Sequence, residues 1–378
     1  MSVVGIIAIG AVATFATLVI MEGLASLVVS VRDRRRVLWA VGRKRSTYDP
    51  DLGWVNTPNT LIPDLYGPGG EVRINSQGFR NTYDFDPAVA EGRLRIICSG
   101  DSFTFGEGVA NDKTWCQLLA DLDPRLEPVN LGQTGYGIDQ AYLWYKRDGL
   151  RLSHHIHLLE FITDDFYRMQ TAVFAGYAKP VLDIVHGRLA VTNVPVPRRS
   201  YYLTWLERHL RSLNRFRTVE FCSRTFLKVR ASTAEDSVEA RQARNTKTRE
   251  VLRKIFEDLK NLRDERSIQP VLVYLPTLHE LMGSGHESQE WVEFLTAECD
   301  ALGIPLFDVM SDFRRLPAHQ VVSMYIAEGQ SGPNHFNAQG NAFVAATIYR
   351  KLVNHPSTAE RLSPQTERSR LGDIACSV

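Results

Sequence analysis

The chain has 378 residues, of which 44% are hydrophobic and 23% charged, with a formal net charge of +1. That length can bury one large or two ordinary cores, and the balance of acids and bases leaves no electrostatic footprint for nucleic acid. The five cysteines, Cys98, Cys116, Cys222, Cys299 and Cys376, are odd in number and lack metal-ligand spacing, so neither a disulfide framework nor a zinc site is expected.

Val3 to Ile20 carry no charge, and the apolar character resumes after Glu22 as far as Val31. As a helix this stretch of about 28 residues is roughly 40 Å long, enough to cross a hydrocarbon core of about 30 Å with tilt. No Lys or Arg precedes it and no small-x-small site closes it. A retained single-pass anchor over 1–31 is therefore expected, rather than a cleaved signal peptide. Glu22 interrupts the stretch: it sits near an interface, pairs with another helix, or marks where the span thins. Arg32, Arg34, Arg35, Arg36, Arg43, Lys44 and Arg45 all follow the span, which by charge counting places the rest of the chain on the cytoplasmic side.

Residues 32–90 read as a basic juxtamembrane segment and a collar of loops and short strands. They contain Asp49-Pro50-Asp51-Leu52-Gly53-Trp54 and Asn75-Ser76-Gln77-Gly78-Phe79-Arg80 on either side of a Pro/Gly-rich stretch. Strands are predicted over Leu94–Cys98, Pro128–Leu131, Ile156–Ile162, Pro270–Leu275 and Pro305–Val309. Helices are predicted over Lys113–Leu122, Gln140–Asp148, Val238–Arg263, Gln289–Leu302 and Ala338–Val353. This alternation predicts an α/β domain over 91–355, a parallel sheet covered on both faces with its ligand site at the carboxyl ends of the strands.

Between 169 and 237 the alternation breaks. Over 198–230, Arg198, Arg199, Arg208, Arg211, Arg215, Arg217, Arg224, Lys228 and Arg230 stand against only Glu207 and Glu220, and Leu203, Leu206, Leu210 and Leu213 recur at helical spacing beside Trp205. A basic helical insertion is expected. It is either an amphipathic helix packed on the core or a patch resting on anionic headgroups. Residues 356–378 read as a polar, poorly ordered tail.

A serine hydroxyl attacks an ester only when a base takes its proton and donors hold the oxyanion. Ser102 in Gly100-Asp101-Ser102-Phe103-Thr104-Phe105-Gly106-Glu107-Gly108 follows a predicted strand and opens a helix, so its own N–H is one candidate donor. Asp101 reads as a cap. Gly135, in Asn130-Leu131-Gly132-Gln133-Thr134-Gly135, is a second candidate donor. His335, in Pro333-Asn334-His335-Phe336-Asn337 ahead of the last helix, is the candidate general base.

These motifs, with both collar motifs, resemble the SGNH (GDSL-type) hydrolases, in particular a bacterial membrane-anchored branch, over roughly 48–168 and 265–354. The resemblance implies a flavodoxin-like three-layer α/β/α sandwich and metal-free, cofactor-free hydrolysis of an ester, often an acyl group on a carbohydrate or lipid. It implies Ser102 as nucleophile, Gly135 as oxyanion donor and His335 as base, at a bacterial inner membrane; for some members it sets the catalytic domain on the side opposite to the charge count. Two positions depart from the pattern. Asp164 stands where the family has an oxyanion-donating asparagine and is the third candidate oxyanion group: either burial keeps it protonated as a donor, or it points elsewhere, or it weakens the chemistry; and no acid lies two or three residues before His335, Glu328 being the nearest upstream. A serine esterase, an O-acyltransferase using the same acyl-enzyme, and a degenerate module that binds glycan or lipid are the readings that follow.

Overall fold

The computed structural model describes residues 3–37, 45–175, 177–196, 218, 238–283, 286–330 and 332–362. The first element is α1 (Val3–Val37), which contains a 20-residue apolar stretch, Ile9–Val28, of mean hydropathy 1.9. The helix runs six residues past the expected end of the anchor at Val31, into the basic run. Most of this span is exposed on every side. By length and composition it can cross a membrane.

The collar is two antiparallel hairpins, β1 (Ser46–Asp49) with β2 (Gly53–Asn56) and β3 (Thr60–Ile62) with β4 (Val72–Ile74). The core follows: β5 (Leu94–Gly100), α2 (Ser102–Phe105), α3 (Trp115–Leu122), β6 (Leu126–Gly132), α4 (Ile138–Arg147), β7 (Ile156–Phe161) and α5 (Thr163–Arg168). After it come two small hairpins, β8 (Val173–Phe174) with β9 (Tyr177–Ala178) and β10 (Val181–Val185) with β11 (Arg188–Thr192). The chain resumes with α6 (Val238–Arg266), β12 (Gln269–Tyr274), α7 (Leu278–Met282), α8 (His286–Leu302) and β13 (Leu306–Asp308). It closes with α9 (Met310–Phe313), α10 (Ala318–Ser323), α11 (Ala338–Asn354) and α12 (Pro356–Leu362).

The sheet order is β13-β12-β7-β5-β6, all parallel. Taken in chain order that is 2-1-3-4-5, the flavodoxin-like arrangement, with its switch point between β5 and β7. Strand side chains alternate between the faces and so feed two cores. Ile97, Leu159, Leu272 and Tyr274 pack with α4, α6 and α8 on one side. Ile96, Cys98, Leu158, Val271 and Val273 pack with α3 and α11 on the other. The result is the three-layer α/β/α sandwich the sequence led us to expect.

Two expectations need correction, and a third falls outside the described residues. The part of the insertion that carries β8 to β11 forms β-hairpins rather than helix. His186 and Gly187, both at positive φ, supply the two-residue turn that joins β10 to β11. The basic positions Arg198 to Lys228 and the leucines between them lie outside the described residues, as does Arg230. Finally, 356–362 is not loose tail: α12 packs on the sandwich with Thr358 and Leu362 buried, and Arg125 Nη1 donates to the Leu362 carbonyl at 2.9 Å. Residues 363–378 lie outside the described set.

The collar covers the open edge of β6. Arg80 N–H donates to the Asn130 carbonyl at 3.0 Å, Asn81 Nδ2 donates to the Pro128 carbonyl at 3.1 Å, and Asn130 N–H donates to Asn81 Oδ1 at 3.0 Å. An edge strand left bare would invite pairing with another chain. The first hairpin is held by Trp54, whose Nε1 donates to the Thr134 carbonyl at 3.0 Å. Each collar motif thus docks beside a loop that carries candidate chemistry.

Candidate functional site

Ser102 is the first residue of α2, and its N–H has no acceptor within so short a helix. Asp101 caps that helix: its Oδ1 accepts from Phe103 N–H at 2.7 Å. Its other oxygen accepts from Arg168 Nη1 at 2.8 Å and lies 3.3 Å from Ser102 Oγ. The helix stops at Gly106, which takes a left-handed conformation (φ 82°). Its neighbours leave no space for a side chain on the adjacent strand, because a Cβ on Gly132 would stand 2.0 Å from Phe105 N.

His335 Nε2 lies 2.8 Å from Ser102 Oγ, across 233 residues of sequence. The loop that carries it is pinned by Ile326 N–H donating to the His335 carbonyl (2.8 Å) and Asn334 N–H to the Ile326 carbonyl (3.0 Å). Asn337 then caps α11, its Oδ1 accepting from Gln339 and Gly340 N–H groups. The imidazole rests against Phe103, ring centroids 4.9 Å apart. Its Nδ1 faces the carbonyls of Pro333 at 3.1 Å and Gly332 at 3.3 Å. A carbonyl only accepts, so Nδ1 carries the proton and Nε2 is left as acceptor toward the serine hydroxyl. This is the tautomer a base requires. The acid absent from the sequence is therefore replaced by backbone carbonyls. Glu328 stands exposed and takes no part in these contacts.

Gly135 has φ 82°, and a Cβ there would meet Phe174 Cε1 at 2.7 Å, so only glycine fits. Its N–H has no hydrogen-bond partner among the described residues. The loop around it is fixed by Trp54 at the Thr134 carbonyl and by Thr134 Oγ1 donating to Glu107 Oε2 at 2.9 Å. Asp164 is exposed on the first turn of α5. Desolvation raises its carboxyl above the usual value; Glu280 and Asp101 add to this and Arg168 opposes it. An exposed carboxyl is screened by water, so burial does not lock it in the neutral form that would donate to an oxyanion.

Four residues around the site were not singled out by the sequence reading. Glu160, at the end of β7, is fully buried; its Oε2 accepts from Thr104 Oγ1 at 2.6 Å. Burial, with Asp101 and Asp165 alongside, pushes its carboxyl well above the usual range. Arg168 spans the acids: it donates to Asp101, to Asp165 Oδ1 at 2.5 Å and to the Tyr136 carbonyl at 2.9 Å. Glu107, inside the serine motif, accepts from Arg45 Nη1 at 3.0 Å and from Tyr66 OH at 3.0 Å. Burial opposes ionisation of Glu107, yet Arg45 and His335 outweigh it and hold the carboxyl below its usual value.

Arg80 is the fourth. It is fully buried without a carboxylate; burial lowers it to about 10. Its guanidinium donates to the carbonyls of Phe105, Gly106 and Val109 and to Asn111 Oδ1, and lies 4.5 Å from the centroid of Phe105. It thereby satisfies the carbonyls left open where α2 ends. The visible signal was its place as the last residue of the second collar motif.

No group of three or more His, Cys, Asp or Glu suited to a metal ion occurs among the described residues. A cavity of about 510 Å³ lies between β10 and α6, lined by Asp183, Lys247 and Val251 among others, and shares no residue with the Ser102 site.

Neither a protein-family profile nor a curated protein matches the chain. Among solved structures, it is similar to a member of the lipolytic protein G-D-S-L family from Veillonella parvula: 13% identity, TM-score 0.38, covering 69% of this chain and 99% of that one. It is similar also to a lipase/acylhydrolase from Enterococcus faecalis, at 12% identity and TM-score 0.37, covering 68% of this chain and 95% of that one. An acetyl xylan esterase matches at 14% identity and TM-score 0.37, over 68% and 100%. Likeness at this level carries no argument about the reaction.

Proposed function

We propose that the chain is a serine esterase or acyl-hydrolase of the SGNH type, anchored to a membrane by α1 and working through Ser102 and His335 without metal or cofactor. The observation that carries the reading is the 2.8 Å contact between Ser102 Oγ and an imidazole nitrogen whose partner nitrogen faces carbonyls. In this reading Ser102 Oγ attacks the ester carbonyl while its proton passes to His335 Nε2. The tetrahedral oxyanion is met by the N–H groups of Ser102 and Gly135. Collapse breaks the ester C–O bond, and His335 returns the proton to the departing alcohol. Water, deprotonated by the same imidazole, then adds to the acyl-enzyme and releases the acid. A sugar hydroxyl entering in place of water would make the protein an O-acyltransferase by the same steps.

Asp164 has no role as a donor here; ionised, it would work against the oxyanion. The substrate is an ester whose acyl or alcohol part belongs to a glycan or lipid, as the resemblance to the SGNH hydrolases implies. A bacterial inner membrane is the expected location.

The test uses the full chain in detergent micelles beside Ser102→Ala, with short p-nitrophenyl acyl esters and a fluorophosphonate probe. Labelling and turnover by the native chain, both lost in the variant, are expected. If neither exceeds the variant, the protein is a binding module and the catalytic reading fails.

A further inference from the structure

Ser102 Oγ has one proton and two acceptors in reach. His335 Nε2 lies at 2.8 Å and Asp101 Oδ2 at 3.3 Å. A carboxylate is the stronger acceptor of the two, because the bond to it is charge-assisted. A serine proton drawn to Asp101 is turned away from the base, and a free negative charge there would also oppose the oxyanion. What holds Asp101 in check is Arg168, the last residue of α5. Its Nη1 donates to Asp101 Oδ2 at 2.8 Å, to Asp165 Oδ1 at 2.5 Å and to the Tyr136 carbonyl at 2.9 Å. The side chains of both acids are 1% exposed and that of Arg168 13%, so salt and water screen these charges little.

The same nitrogen joins two loops. Asp101 precedes Ser102 and Tyr136 follows Gly135, so Nη1 bonds to the neighbour of each candidate oxyanion donor. The stem of Arg168 adjoins the second loop as well. A Cβ on Gly137 would stand 3.1 Å from Arg168 Cβ, and the Phe174 ring that closes off Gly135 lies 5.1 Å from the guanidinium carbon. Buried Lys179 fixes the backbone there: its Nζ donates to the Arg168 carbonyl at 3.1 Å and pairs with Asp139. Gln133 N–H, donating to the Gly100 carbonyl at 3.1 Å, ties the two loops at their strand ends; Arg168 ties them beside the donors themselves. Two donors serve one oxygen only when held within about 0.5 Å of the productive geometry. We propose that Arg168 is a positioning residue of the reaction: it draws Asp101 off the Ser102 hydroxyl so that the proton goes to His335, and it clamps the Gly135 loop to the Ser102 turn so that both N–H groups meet one oxygen. The proposal rests on reading Ser102 as the nucleophile. Arg168 touches no reacting atom and no substrate, so its effect belongs in kcat and leaves KM alone.

The test uses the full chain in detergent micelles on a p-nitrophenyl acyl ester, every variant being assayed below its unfolding transition. Arg168→Gln should lower kcat about 100-fold, as a misplaced site does, with KM within twofold of native. Asp101→Asn removes the charge and keeps an oxygen to cap Phe103 N–H. Added to Arg168→Gln, it should restore kcat at least tenfold, although it cannot restore the clamp. Arg168→Lys keeps the charge with its nitrogen one bond short of Nη1. It should lose kcat at least fivefold, again at native KM, and carries the test if Arg168→Gln does not fold. A loss in Arg168→Gln that Asp101→Asn leaves in place overturns the proposal, as does a change confined to KM or native kcat in Arg168→Lys. A native chain that turns over no ester and takes no fluorophosphonate sinks the esterase reading and this proposal together. Native turnover indifferent to Arg168 sinks the proposal alone.

Discussion

The Nδ1–H of His335 donates to the carbonyl of Pro333 at 3.1 Å, in the place where a triad sets a carboxylate. A carbonyl orients the ring and fixes its tautomer, but it carries only a partial charge to stabilise the imidazolium that forms when Ser102 attacks. A carboxylate introduced two residues before the histidine should therefore speed the reaction. Pro333→Asp is expected to raise kcat at least threefold with KM little changed, measured on a p-nitrophenyl ester. A fall in kcat would mean that the carbonyl arrangement is already the better one.

Asp164→Asn should act in the same direction from the other side of the site. The exposed carboxyl opposes negative charge on the substrate oxygen, whereas an amide can donate to it. Loss of one oxyanion donor elsewhere costs about 100- to 1,000-fold. A gain of about tenfold in kcat is expected here, since the donor joins two already present. A decrease would show that the native carboxyl has a positive role.

Arg80→Ala would strand the carbonyls of Phe105, Gly106 and Val109 in a buried place. Each buried polar group left without a partner costs about 1–3 kcal/mol, so a loss of roughly 3–5 kcal/mol is expected. Arg80→Lys keeps the charge but not the fork, and should recover less than half. Thermal unfolding in detergent measures both. Because the carbonyls belong to the turn after Ser102, turnover at temperatures below the transition should fall as well.

Glu160 gives a pH signature. Its folded carboxyl is raised, so the stability it contributes is full below the unfolded value of about 4.3 and is lost as pH rises through the folded value. Glu160→Gln removes that loss, because an amide oxygen can still accept from Thr104 and carries no charge beside Asp101 and Asp165. The variant should unfold at the same temperature as the native chain at pH 4 and at a higher one at pH 7.5. Identical transitions at both values would show that Glu160 stays ionised in the folded state.

Much of this was open to reading in the sequence, and the division follows the range of the interactions. The five core strands fall within two residues of their predicted ends, because buried parallel strands are local apolar runs. Ser102 and His335 each sit in a strand–helix or loop–helix junction whose composition is local too. Arg80, Glu160 and Arg168 were not legible as site residues. Their meaning depends on which carbonyls or acids the fold brings beside them, and no spacing encodes that. The β10–β11 hairpin carries a local signal too, the His186-Gly187 turn between two short apolar runs. The helix Pro356–Leu362 was hidden because its anchoring contact comes from Arg125, far away in the chain.

The ion pair between Arg45 and Glu107 draws a line through the polypeptide. Arg45 is the last residue of the basic run after α1, yet its guanidinium is interior to the globular part and neutralises a carboxylate of the serine motif. Severing the chain before residue 45, by a protease or by design, releases a body that keeps the Arg45–Glu107 pair. A cut even one residue later leaves the Glu107 carboxylate with the hydroxyls of Tyr66 and Thr134 but without its cation, a defect of about 3–5 kcal/mol. Any attempt to obtain the domain free of its anchor has its starting residue chosen for it.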